Sequence, residues 1–135
     1  MASSPITCHV LDTLSGLPAS NLNVVLTLLT PRGLSSEELP PSGVLVFHAV
    51  TNEDGRIKEW MPNTKFSVQD ALDKFDQGDE SVWSLKFDTG KWYREKKIEC
   101  FFPEVEVKFF VKKGTRHYHV PVLLGPWTYT TYRGS

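Results

Sequence analysis

From residue 105 to 111 the chain alternates, with Val105, Val107, Phe109 and Val111 on one side and Glu106, Lys108 and Phe110 on the other. A period of two is what a half-buried strand produces, because successive side chains point to opposite faces. A segment committed to that pattern needs neighbouring strands and a second apolar layer to cover its buried face.

Other segments supply them. Residues 6–12 (ITCHVLD) read as a strand with Thr7, His9 and Leu11 on one face and Cys8, Val10 and Asp12 on the other. Residues 23–29 (NVVLTLL) are β-branched and apolar, as suits a strand inside a sandwich. Residues 44–51 form a third strand, closed by the turn signal Asn52-Glu53-Asp54-Gly55 with Arg56 directly after it. Residues 81–87 set Trp83, Leu85 and Phe87 against Val82, Ser84 and Lys86, and two further strands are expected over 117–124 and 128–132.

Between these runs lie loops. Residues 15–21 carry turn residues, and 30–42 form a long polar excursion with Pro31, Pro40 and Pro41. Ser67, with Asp70 three residues on, predicts one or two helical turns over 66–75, and 89–97 reads as a short helix. Seven or eight short strands with at most two helical pieces give an all-β sandwich, expected to be one domain over residues 1–135.

Composition removes several function classes. Fifteen Lys and Arg against sixteen Asp and Glu leave a formal charge of −1, which gives no reason to expect nucleic acid or an anionic membrane as partner. No apolar run approaches the ~20 residues that span a bilayer. The N-terminal MASSPITCHVLD lacks a basic segment followed by an apolar one, so the expected compartment is the cytoplasm. Cys8 and Cys100 are then expected to be reduced thiols. Phosphate-binding glycine loops, Cys-x-x-Cys pairs and a nucleophile elbow are all missing from the sequence.

What remains is a scattered set of polar residues. His9 or His48 alone reads as an ordinary surface or core histidine. His117 and His119 share a strand face and could face a metal together, or one of them could act as a general base. A structural zinc lacks the cysteines and histidines needed to complete its ligand set. Arg56 is either a solvated turn charge or a planar fork for carbonyl and carboxylate oxygens. The terminus Tyr132-Arg133-Gly134-Ser135 is unlike a frayed end; Tyr132, with Tyr129 just before it, and the arginine suit docking.

Taken together these segments resemble the 5-hydroxyisourate hydrolase family of the transthyretin-like fold. The likeness runs through His9-Val10-Leu11-Asp12, Gly16-Leu17-Pro18-Ala19, Thr51-Asn52-Glu53-Asp54-Gly55-Arg56 and Phe87-Asp88-Thr89-Gly90-Lys91. It continues through Phe102-Pro103-Glu104-Val105, His117-Tyr118-His119-Val120-Pro121 and Thr130-Thr131-Tyr132-Arg133-Gly134-Ser135. It is poorest over 30–43 and 58–80. Gly125-Pro126-Trp127 stands where the family commonly has Ser-Pro and then Tyr or Phe, and 69–81 is longer than the family pattern.

The resemblance implies a transthyretin-like (prealbumin-like) sandwich of about eight strands in two sheets with one short helix over 89–97. It implies a homotetramer with active sites at the dimer–dimer interface, the small-molecule substrate 5-hydroxyisourate, and no metal or organic cofactor. It also leaves a peroxisomal location open. The family's functional positions fall on His9, Arg56, His119 and Tyr132, with Ser135 among the substrate-binding residues. In that scheme His119, helped by His9, deprotonates water, Arg56 holds the substrate and Tyr132 hydrogen-bonds the bound ring. Two other classes stay in play: a non-catalytic transthyretin-like carrier of small ligands, and a metal-binding sandwich using His117 and His119.

Overall fold

Alternating apolar positions close into two facing layers in the computed structural model of the chain, which describes residues 3–31, 37–74 and 80–135. The strands are β1 (Ile6–Asp12), β2 (Leu17–Pro18), β3 (Asn23–Leu28), β4 (Leu45–Val50), β5 (Arg56–Ile57), β6 (Met61–Pro62), β7 (Glu80–Phe87), β8 (Val105–Lys112), β9 (Tyr118–Leu124) and β10 (Tyr129–Thr131). The helices are α1 (Val68–Lys74) and α2 (Thr89–Glu95). One sheet runs β10-β9-β1-β2, with β5 also paired to β1; the other runs β6-β4-β3-β7-β8.

The inward set is the one the period of two selects. Ile6, Cys8 and Val10 of β1 face Val24, Leu26 and Leu28 of β3 and Trp83, Leu85 and Phe87 of β7 in one buried cluster. Val120, Val122 and Leu124 complete it from β9. Phe47 and Trp83 stack with ring centroids 6.1 Å apart. The alternation of β8 holds along its length, with Glu106, Lys108 and Phe110 exposed.

The sheets contain more pieces than periodicity could show. β2, β5 and β6 are two residues each, too short to display a period, and β2 lies inside the segment read as a loop. Both helical readings correspond to helices. At α1, the Asp70 N–H donates to Ser67 Oγ (3.1 Å) and the Ser67 N–H donates to Asp70 Oδ2 (3.0 Å), a reciprocal cap. Residues 32–36 of the polar excursion and Phe75 of the helical reading lie outside the described residues. No helix among the described residues is long and apolar enough to cross a membrane.

α2 is pinned by its buried aromatic residues. The Trp92 Nε1–H donates to Ser20 O (2.8 Å), and the Tyr93 hydroxyl donates to Asp12 Oδ1 (2.8 Å). Asp12 is itself buried at the end of β1 and also accepts from the Ser15 hydroxyl and the Leu14 and Ser15 N–H groups. Burial opposes its ionisation, but these hydrogen bonds outweigh burial and hold the carboxyl below its usual range.

Candidate active site

The site forms where the two ends of the chain meet. β1 and β9 pair in parallel, with Thr7 opposite His119 and His9 opposite Pro121. Because Cys8, Val10, Val120 and Val122 turn inward, Thr7, His9, His119 and Pro121 lie on the outer face of the same sheet. On the other side of β1, β5 sets Arg56 opposite His9 and Ile57 opposite Cys8.

Arg56 reaches that position through the turn before it. Asn52 Oδ1 accepts from the Asp54 and Arg56 N–H groups at 2.9 and 3.0 Å. Gly55 has φ +74°, and a Cβ there would collide with the carbonyl oxygen of Val10. Only glycine lets the turn lie this close to β1, where Val10 N–H donates to Gly55 O at 2.8 Å.

The terminal residues return to the sheet after β10. His119 and Gly134 form an isolated antiparallel bridge, with the Gly134 N–H donating to His119 O at 2.8 Å. A Cβ on Gly134 would come within 2.8 Å of His119 Cδ2, so the imidazole packs directly over this glycine. Arg133 alternates to the other side, its guanidinium 4.9 Å from the ring centre of Tyr118. That cation–π contact holds the terminal segment down and turns Arg133 away from the outer face.

Thr7, Arg56, Lys58, His117, His119 and Ser135 line a shallow cleft of ≈ 220 Å³. His119 Nδ1 and the buried Thr7 Oγ1 are 2.8 Å apart and hydrogen-bonded. In the tautomer that leaves the Nε2 lone pair free, Nδ1–H donates to the threonine oxygen. His117 stacks on His119 with centroids 6.3 Å apart and ring planes 10° from parallel. Burial lowers the His119 pKa below its ordinary 6.5, and the positive charges of Arg56, His117 and His9 push it the same way. The imidazole is therefore neutral at pH 7 and able to accept a proton. Among the described residues the Arg56 side chain has no hydrogen bond or ion pair, which leaves its donors for a ligand.

Of the five residues expected at the site, Arg56, His119 and Ser135 line one cleft. His9 is partly buried beside Arg56 in the sheet without lining it, and Tyr132 lines an adjoining apolar cleft of ≈ 190 Å³ that shares His119 as a wall. Periodicity puts Thr7 on one face with His9, but nothing local in the sequence names His119 as its partner. Among the described residues no group of three or more His, Cys, Asp and Glu side chains is arranged to hold a metal ion. Both cysteines are free, and burial pushes the Cys8 thiol up to about 12, too high for a nucleophile at neutral pH.

The HIUase/Transthyretin family model matches residues 6–134. A 5-hydroxyisourate hydrolase of Mus musculus is 40% identical over 133 residues, covering 98% of this chain and 97% of its own. The solved structure of Klebsiella pneumoniae 5-hydroxyisourate hydrolase superposes with a TM-score of 0.67 at 25% identity, covering 98% of this chain and all (100%) of the other. Sea bream transthyretin, solved in complex with thyroxine, has a TM-score of 0.68 at 23% identity, covering 96% and 94% of the two chains, and shares the fold.

Proposed function

Since the chain belongs to the HIUase/Transthyretin family, we propose that it hydrolyses 5-hydroxyisourate to the ring-opened 2-oxo-4-hydroxy-4-carboxy-5-ureidoimidazoline in urate degradation. The observation that carries this reading is the convergence of an uncommitted Arg56 and a neutral, threonine-anchored His119 on one cleft. Opening a cyclic acyl–nitrogen bond needs activated water, charge stabilisation at the carbonyl oxygen and a proton for the leaving nitrogen.

In this reading His119 Nε2 takes the proton from water while Nδ1–H stays on Thr7, a general-base role typically worth ~10²–10⁴-fold. His9, one strand over, helps position the water. Arg56 presents its planar fork to the carbonyl oxygens and stabilises charge as the oxyanion forms. Tyr132, from the adjoining cleft, and Ser135 close the site against bulk water. The protein acts as a homotetramer, with the outer faces of the site-bearing sheets of two protomers meeting over the clefts. Supporting that assembly, Leu123 on this face is 37% exposed, apolar area that association would cover.

The test follows the decay of freshly generated 5-hydroxyisourate with wild type, His119→Ala and Arg56→Ala. Each variant is expected to lose at least ~100-fold in rate. Wild-type rates in both variants would overturn the residue assignment, and an inactive wild type would favour a carrier.

A further inference from the structure

Hydrolysis of an acyl–nitrogen bond turns a neutral carbonyl into a carboxylate. The site therefore needs somewhere to put a full negative charge after the reaction that was not required before it. Resting on the hydrolase reading above, we propose that Lys58 forms a carboxylate subsite at the His119 end of the cleft. There it steadies the oxyanion as water adds and then holds the carboxylate of the product.

The placement follows from two registers. β5 and β1 pair Arg56 with His9 and Ile57 with Cys8, and Lys58, directly after β5, lines the cleft together with Thr7. Thr7 has His119 as its neighbour on the other side. One row crosses the outer face as Arg56, His9 and Pro121; one step along, Thr7 and His119 form a second, and Lys58 lines the same cleft as that pair. Ile57 is buried between the two cations, which fixes Arg56 and Lys58 on the same outward face. The Lys58 carbonyl accepts from the Ser4 N–H at 2.7 Å, which ties the chain just after β5 to the segment before β1.

The electrostatics agree with the placement. Lys58 lines the cleft with His119, and no Asp or Glu lines it. Among the described residues no carboxylate lies within ion-pair distance of Lys58. In a chain with a net charge of −1, a cleft that brings Arg56 and Lys58 together with no Asp or Glu side chain is locally biased toward anions. The two cations differ in kind. Arg56 offers a flat fork suited to a carbonyl-rich ring, while the lysine ammonium is a compact point charge suited to one oxyanion.

Lining the same cleft as His119, the ammonium faces the carbonyl that water attacks. The water oxygen bonds to that carbon, and one water proton passes to His119 Nε2. The C–N bond then breaks with its electron pair on nitrogen, which receives the proton back from His119. The new acid loses its remaining proton to solvent, and its carboxylate pairs with Lys58.

The experiment is calorimetric titration of the full chain with allantoate, a stable ureido-carboxylate, and with allantoin, its uncharged ring-closed counterpart. Allantoate should bind wild type more tightly than allantoin does. Lys58→Met, which keeps the aliphatic stem, should weaken allantoate about tenfold, as expected for losing a charge-assisted contact. Allantoin should change less than about twofold, and Lys58→Arg should recover most of the loss. Equal allantoate binding by wild type and Lys58→Met, or no preference for the carboxylate in wild type, overturns the subsite. If allantoate binds through Lys58 but 5-hydroxyisourate is left intact, the subsite stands and the hydrolase reading fails.

Discussion

At the scale of single residues the site depends on His119 being neutral and correctly turned. Its pKa is depressed, so the base is free above the ordinary value of 6.5 and is lost only as pH falls below it. The acid limb of kcat/KM should therefore lie below 6.5. His117→Gln removes one of the charges that lower the pKa, so that limb should move upward toward 6.5; a limb unmoved in the pH–rate profile would contradict the assignment. Thr7→Val keeps the side-chain shape but strips the partner from His119 Nδ1. A net hydrogen bond of about 1 kcal/mol corresponds to a roughly five- to tenfold drop in kcat, with KM little changed and Thr7→Ser close to wild type. These roles were only half legible in the sequence. Periodicity gave the shared face of Thr7 and His9, whereas the Thr7–His119 pair spans 112 positions and has no local signature.

At the scale of elements, two turns set the frame. Gly55→Ala forces a Cβ onto the Val10 carbonyl at a φ that favours glycine. It should cost about 1–3 kcal/mol in a denaturant titration and reduce activity as well, because Arg56 follows directly. The Asp12–Tyr93 bond ties the end of β1 to α2. With its folded pKa depressed, Asp12 contributes stability that is complete above its ordinary 3.8 and is lost as pH falls through the folded value. Asp12→Asn should thus be destabilised at pH 7, with the gap to wild type narrowing as thermal melts are taken below about pH 4. The Asn52–Gly55 turn was readable because Asp-Gly chemistry is local. β5 directly after it was not, since two residues cannot show a period, and pairing with β1 is what makes them a strand. Gly125 has a tertiary reason too. A Cβ there would sit 2.9 Å from Thr13 Oγ1, a contact invisible from the Gly-Pro-Trp sequence.

At the scale of the whole molecule, the terminal segment divides its work between two faces. Tyr132 and Gly134 belong to the site side, while Arg133 stacks on Tyr118, whose hydroxyl accepts from the Lys112 N–H at 2.8 Å. The sandwich core lies elsewhere, so deleting residues 132–135 should leave melting temperature and light-scattering mass close to wild type while removing most turnover. Normal turnover by the truncated chain would mean the segment is not part of the site.

By itself the sequence determined which residues alternate, which turns interrupt them and which side chains could carry acid–base chemistry. Those properties depend on backbone geometry within a few residues. Only the tertiary structure decided which of them meet. The parallel pairing of β1 with β9 brings Thr7 to His119, and β5 brings Arg56, with Lys58 directly after the strand, to the other edge of β1. The reason is that cross-strand register is fixed by burying Cys8, Val10, Val120 and Val122 against the opposite sheet, a condition on the whole core that no local stretch contains.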